Sequence, residues 1–257
     1  MSALQIENLV VRYGSREVVS GVSIEVPAGR TLGLVGESGS GKSTVANAAV
    51  GLAPVHSGAI RVHGTSVLGR GAVPRAARRR LQLIFQDPFS ALDPRMPIGD
   101  SIAEGLIASP RAFTRSERRD RVAELLRQVE LDPTRADELP RAFSGGQRQR
   151  ITIARALASD PGILIADEVT SALDVSVQGS ILNLLRDLQQ RLDLSILFIS
   201  HNLAVVRYIS DEICVMRAGR IVEAGPTEAL LAHPTAAYTR DLLEAVPVLG
   251  RRMEFSE

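Results

Sequence analysis

Gly36-Glu37-Ser38-Gly39-Ser40-Gly41-Lys42-Ser43-Thr44 is the stretch whose residue types and spacing carry the most chemistry. Glycines at 36, 39 and 41 let successive backbone N–H groups turn inward as a nest for an anion. Thr31-Leu32-Gly33-Leu34-Val35 reads as a strand entering the stretch. Thr44 to Leu52 reads as a helix leaving it, with Val45, Ala48, Ala49 and Leu52 on a buried face. The N-terminus of that helix adds its dipole to the nest, so the arrangement suits phosphate. In that setting Lys42 reaches β- and γ-phosphates and the Ser43 hydroxyl ligates Mg²⁺. A glycine-rich turn without a ligand is the plainer reading, and the strand and helix on either side argue against it. Lys42 is also the one lysine among 30 basic residues, the rest being Arg. A compact ammonium on a thin stem enters a cradle that a planar guanidinium does not fit.

Two further groups narrow the chemistry. Asp167 and Glu168 end the apolar run Gly162-Ile163-Leu164-Ile165-Ala166. There a carboxylate can hold Mg²⁺ or its water shell, and an adjacent Glu can orient and deprotonate a water attacking a γ-phosphate. Taken alone, an Asp-Glu pair after a strand is as well read as a solvated strand end. Ser144-Gly145-Gly146-Gln147 opens a helix and makes a second N-terminal anion cradle, or simply a Ser-capped helix start. One nucleotide does not easily need both cradles from one chain, whereas a head-to-tail dimer would bring each chain's second cradle to its partner's γ-phosphate.

The elements that must position these groups follow from the pattern of the chain. Leu4 to Tyr13, Glu17 to Val19 and Val22 to Val26 read as strands, with turns at Gly14-Ser15-Arg16 and Pro27-Ala28-Gly29-Arg30. Gly58 to Gly64 and Leu81 to Gln86 are further short strands, the second broken at Asp87-Pro88, and Ala76 to Arg80 is a basic helical turn. Residues 98–158 read as helical, with Val122, Leu125, Leu126 and Val129 spaced for one buried face. Strands return at 162–168 and 194–200, followed by a hairpin that turns on Ala218-Gly219 and a polar, helical tail. The expected architecture is a mostly parallel α/β core interrupted by a helical lobe at 88–155, its apolar strands covered on both faces.

Composition bounds the rest. The chain has 257 residues, 45% hydrophobic and 23% charged, with a net charge of +1. That composition excludes disorder, collagen and coiled coil, and argues against nonspecific nucleic-acid binding. Arg75, Arg78, Arg79 and Arg80 read as a solvated helix face rather than a nucleic-acid patch. No run approaches 18 apolar residues and the first residues do not form a signal peptide, so a soluble, intracellular protein is expected. The single Cys214 excludes an intrachain disulfide and reads as a small buried hydrophobe, and each His is isolated, so no metal site is implied.

With these motifs in this order, the sequence resembles the ATP-binding-cassette (ABC) ATPases over nearly its whole length. The resemblance implies an α/β fold, a RecA-like P-loop NTPase core with an N-terminal antiparallel β subdomain and an inserted helical subdomain. Residues 1–87 and 156–225 would form the core, 88–155 the helical signature subdomain and 226–257 a C-terminal tail. ATP and Mg²⁺ would be the cofactors. The resemblance makes Tyr13 the aromatic on which adenine stacks, and residues 36–44 the phosphate loop. Gln86 would touch Mg²⁺ and the attacking water while linking core to lobe. Ser144, Gly145, Gly146 and Gln147 would be the signature, Asp167 the Mg²⁺ carboxylate and Glu168 the general base. Ser171 and Asp174, in Ser171-Ala172-Leu173-Asp174, would communicate across the dimer, and His201 would contact the γ-phosphate.

Phe85 to Met96, Glu168 to Gln178 and His233 to Arg240 are similar to segments of the dipeptide, oligopeptide and nickel importer ATPases. That subfamily implies two ATPase chains (this one and a copy or paralogue), two integral-membrane permeases and an extracytoplasmic solute-binding protein, with no nucleic-acid partner. The chain would sit on the cytoplasmic side of the cell membrane, hydrolysing ATP to power uptake of peptides or a related solute. A nickel or metal-chelate importer is the alternative within the class. A soluble ABC ATPase acting on nucleic acid, ribosomes or cofactor assembly is the alternative outside it, disfavoured because no coiled-coil insertion, zinc module or second cassette is present. Val169 departs from the Pro common in cassettes, and Ala236-Ala237 from the repeated His-Pro of the subfamily. With one Cys, the chain should lack the iron–sulfur cluster that some relatives carry in their tails.

Overall fold

Strand β1, Ser2–Tyr13, buries Leu4 and Ile6 and then, after a bulge, Leu9 and Val11. Strict alternation would turn the second pair outward; the extra residue at Asn8, with φ of 47°, restores the phase. These contacts come from the computed structural model of the chain, which describes residues 2–69, 71–109 and 111–244. The expected tail residues 245–257 lie outside the described part. Strand β2, Arg16–Pro27, pairs antiparallel with β1 and is one continuous strand rather than the two short ones expected. β4, Val55–Val62, pairs antiparallel with the other edge of β1, and the two-residue β5, Thr65–Ser66, ends the sheet.

The second sheet runs in the order β10, β9, β3, β8, β7, β6. β3 (Thr31–Val35), β6 (Leu81–Ile84), β7 (Ile163–Asp167), β8 (Ser195–Ser200) and β9 (Glu212–Arg217) run parallel to one another. β10, Arg220–Pro226, closes the edge as the antiparallel arm of the expected hairpin. Alternate residues of the central strands enter two different cores. Leu32, Leu34, Ile163, Ile165, Leu197 and Ile199 pack toward α1 (Lys42–Ala49) and the antiparallel sheet. Leu164, Ala166, Ile196 and Phe198 pack toward the helices on the opposite face. A parallel sheet covered on both sides produces this continuous apolar texture.

The helical region comprises α3 (Pro88–Ala91), α4 (Ile98–Gly105), α5 (Arg115–Gln128) and α6 (Gly145–Leu157). It is not helical throughout 98–158: single 3₁₀ turns and loops occupy 106–109 and 129–144, where Pro133 and Pro140 interrupt the backbone pattern. α5 opens on a capping box between Thr114 and Glu117. Hydrogen bonds from the Thr114 N–H, the Thr114 hydroxyl and Arg111 hold the Glu117 carboxyl at about 2. α6 touches α4 and α5 on one side and β6 and α7 (Val175–Leu192) on the other, tying the helices to the core sheet.

Three further local expectations fail. Leu52 lies past the end of α1 and is 64% exposed, because the chain leaves the helix through Gly51 at φ of 82°. The basic turn at 76–80 is a two-turn helix, α2, Ala72–Arg79, and the strand after it stops at Ile84, leaving Phe85 exposed. Cys214 is buried in β9 as expected, and burial pushes its thiol up to about 12.

Candidate functional site

The topology places chemistry along one end of the parallel sheet. The C-terminal ends of neighbouring strands β3, β8, β7 and β6 lead into the 36–44 loop, His201, Asp167-Glu168 and Gln86 respectively. Open α/β sheets bind ligands at this end of their strands.

The loop is closely fitted. Gly41 caps α1 at φ of 105°, a conformation that side-chain-bearing residues rarely adopt. A Cβ on Gly36 would lie 2.1 Å from the Met216 carbonyl oxygen, so only glycine lets the strand end pass β9. Lys42 is 4% exposed, and its Nζ donates to Gly36 O (2.8 Å), Glu37 O (2.7 Å) and Ser40 Oγ (3.3 Å). Burial draws the ammonium below its ordinary pKa, while the carboxylates of Glu168, Asp167 and Glu37 pull the other way. The charge is thus stored inside a ring of oxygens that a phosphate chain can replace.

Beside the loop, Ser43 Oγ donates to Asp167 Oδ1 at 3.1 Å. Asp167 is 8% exposed, and burial, followed by the neighbouring Glu168 charge, raises its pKa against the Ser43 hydrogen bond and Lys42. A hydroxyl and a desolvated carboxylate are hard oxygen donors suited to Mg²⁺.

Glu168 sits in the left-handed region at φ of 48°, unusual for a residue with a side chain. Its N–H donates to Ile199 O (2.9 Å), and its carbonyl accepts from the Ser171 N–H (3.0 Å) and Ser171 Oγ (2.9 Å). Such backbone strain persists where neighbours over-determine it, and it sets where the carboxylate points. Glu168 Oε2 meets Gln86 Nε2 at 3.0 Å and His201 Nδ1 at 3.3 Å, and Gln86 also reaches Ser171 Oγ at 3.4 Å. The structure therefore brings Gln86, Glu168, Ser171 and His201 together.

A cleft of about 380 Å³ opens between Tyr13, Ser38, Gly39, Lys42, Gln86 and Glu168. Tyr13 ends β1 with its ring half exposed to the cleft. Arg16 and Val18 also line it and were not singled out from the sequence. The pairing of Tyr13 with Arg16 across the Gly14 turn is the signal that could have found Arg16.

Residues 144–147 do not line this cleft. Ser144 caps α6 through a capping box with Gln147: the Gln147 N–H donates to Ser144 Oγ (3.3 Å) and the Ser144 N–H to Gln147 Oε1 (3.0 Å). Asp174 caps α7, accepting from Ser176 Oγ (2.6 Å) and the Val177 N–H (2.9 Å), which hold its carboxyl below the ordinary range. A Cβ on Gly146 would stand 2.4 Å from Val177 Cγ1. Gly146→Ala is expected to force α6 from α7 at a cost of about 1–3 kcal/mol. Equilibrium urea unfolding measures this; an unchanged midpoint would mean that the contact relaxes freely.

Sequence comparison agrees with this geometry. A family model described as "ABC transporter" matches residues 19–171. The chain is 48% identical over 232 residues to the di/tripeptide transport ATP-binding protein DppF of Pseudomonas aeruginosa, covering 90% of this chain and 72% of that one. It is 46% identical over 244 residues to the oligopeptide transport ATP-binding protein OppF of Bacillus subtilis, covering 94% and 80%. Among solved structures it is similar to cbiO1 from Clostridium perfringens, part of the ABC transporter complex cbiONQ, with a TM-score of 0.81 at 25% identity over 90% of this chain and 91% of that one. It is also similar to the dimeric post-hydrolysis state of the ATP-binding cassette MJ0796 bound to ADP and Pi, with a TM-score of 0.76 at 27% identity over 87% and 98%.

Proposed function

Because this chain belongs to the ABC transporter family and is an ATPase of that family, we propose that it powers the uptake of peptides as the ATP-hydrolysing subunit of an importer. The observation that carries the chemistry is the convergence of Gln86 and His201 on Glu168 Oε2, which shares a cleft with Lys42 and Ser43. The class of solute rests on relatives named for peptide transport that share about half of this chain's residues.

In this reading the loop amides and Lys42 bind the phosphates of ATP, and Tyr13 stacks on the adenine. Ser43 and Asp167, with Gln86 on the same cleft, would hold Mg²⁺, which would supply charge neutralisation at the phosphates. Glu168 takes the proton of the attacking water, and Gln86 and His201 hold its carboxylate in position. Ser144, Gly145, Gly146 and Gln147 serve the ATP of a second cassette, because they open a helix N-terminus outside their own chain's cleft. Ser171, by aiming Glu168, and Asp174, by capping α7, tie the catalytic strand end to the helix packed against the signature helix.

The membrane partner would dock beside Gln86. A groove of about 630 Å³ lies there, lined by Leu52, Leu83, Phe85 and by Arg75, Arg78 and Arg79. Its mixture of exposed apolar and cationic side chains fits a cytoplasmic segment of a permease with apolar and acidic residues, so that a push on Phe85 reaches Gln86 one residue later. Among the described residues no helix is long and apolar enough to cross a membrane, which leaves the crossing to that partner.

The test is uptake by cells of the source strain in which Glu168→Gln replaces the native residue. Uptake of a labelled tripeptide or oligopeptide is expected to be lost while free amino-acid uptake persists. Normal peptide uptake together with lost nickel accumulation would replace the peptide reading with the metal one.

A further inference from the structure

The segment His233 to Arg240 is placed in the tail by the sequence, yet it returns to the phosphate-binding loop. Helix α10, Ala237–Glu244, carries Tyr238, which is 5% exposed. The Glu37 N–H donates to the Tyr238 hydroxyl at 3.0 Å. That N–H belongs to the same peptide unit as the Gly36 carbonyl, which accepts from Lys42 Nζ at 2.8 Å. One planar peptide is therefore held on one edge by the tail and on the other by the lysine.

The surroundings of Tyr238 are built to hold it there. The Arg217 guanidinium lies 4.6 Å from the centre of its ring, at the end of the same strand whose Met216 carbonyl closes on Gly36. The start of the segment is clasped to β10: Glu223 accepts from the Thr235 N–H (2.7 Å), Thr235 Oγ1 (2.8 Å) and the Ala236 N–H (3.2 Å). A freed Gly36–Glu37 peptide could rotate, since glycine on its N-terminal side offers little resistance. Rotation would move the carbonyl that holds Lys42 and spoil the anion nest.

We propose that Tyr238 is a positioning residue for ATP binding: its hydroxyl fixes the Gly36–Glu37 peptide, and through it the C-terminal segment sets the affinity of the loop for nucleotide. The inference rests on the reading that this loop binds ATP, which wild-type binding in the same assay establishes separately. A change at Glu223, which does not touch the loop, then acts on nucleotide affinity through Tyr238.

The experiment is a double-mutant cycle on the full chain, reading the Kd for Mg·ATP and, where turnover is measurable, KM and kcat. Tyr238→Phe keeps the ring and its packing and removes the bond, so Kd and KM are expected to rise roughly three- to tenfold, the worth of one neutral hydrogen bond. The melting temperature should change little and kcat at saturating ATP much less than KM. Glu223→Gln should weaken binding in the same direction, and Tyr238→Phe/Glu223→Gln should be no worse than Tyr238→Phe alone. A Tyr238→Phe protein with wild-type Kd would overturn the proposal, as would effects of the two substitutions that simply add.

Discussion

Glu168→Gln is expected to bind Mg·ATP with near-native affinity while turnover falls by roughly 10²–10⁴-fold, the usual contribution of a general base. The amide keeps the shape of the carboxylate and can still meet Gln86 and His201, which sit 3.0 and 3.3 Å from Oε2. What it loses is the capacity to accept a proton from water. With binding intact and hydrolysis blocked, the ATP-bound dimer should accumulate. Single-turnover hydrolysis of labelled ATP, with binding followed separately, makes the distinction. Turnover within a few-fold of wild type would remove Glu168 as the base.

Lys42→Arg is expected to fail although it conserves charge, with ATP hydrolysis reduced on the order of 10²–10³-fold, the cost of removing a preorganised donor to developing phosphate charge. The ammonium has three donors and meets three oxygens, those of Gly36, Glu37 and Ser40, in a space that leaves it 4% exposed. A guanidinium is a rigid planar fork on a different stem and cannot point its donors at that tripod. Nor can the loop widen to receive it, because Gly36 already abuts the Met216 carbonyl. Calorimetric titration with Mg·ATP and steady-state hydrolysis test the point. Wild-type values for Lys42→Arg would mean that charge alone matters there.

The parts of this site that were legible in the sequence are those set by short-range rules. Glycine spacing, an apolar strand before and a helix after are local signatures, so residues 36–44 could be read as an anion nest without coordinates. Asp167 and Glu168 were legible as strand-end carboxylates. Outside the family resemblance, nothing local announces their meeting with Gln86 and His201: it follows from strand order, which sets β8 between β3 and β7 with β6 beyond β7. Tyr238 was out of reach for a plainer reason: its bond to Glu37 spans 201 positions, and nothing in the residues around either end specifies the other. The split of β2 and the buried Leu52 failed differently. Gly21, at φ of 70°, sits within a continuous strand rather than ending it, and Gly51 ends a helix that the apolar spacing would have prolonged. A glycine punctuates the chain only when the tertiary contacts on either side allow it.

The most direct test of an ATP-driven importer subunit is to purify tagged Glu168→Gln from detergent-solubilised cells of its own host with Mg·ATP present and to identify what accompanies it. The account predicts two integral-membrane proteins and a second cassette ATPase, this chain or a paralogue. Recovery with only soluble proteins or nucleic acid would contradict the transport role and leave the ATPase chemistry standing.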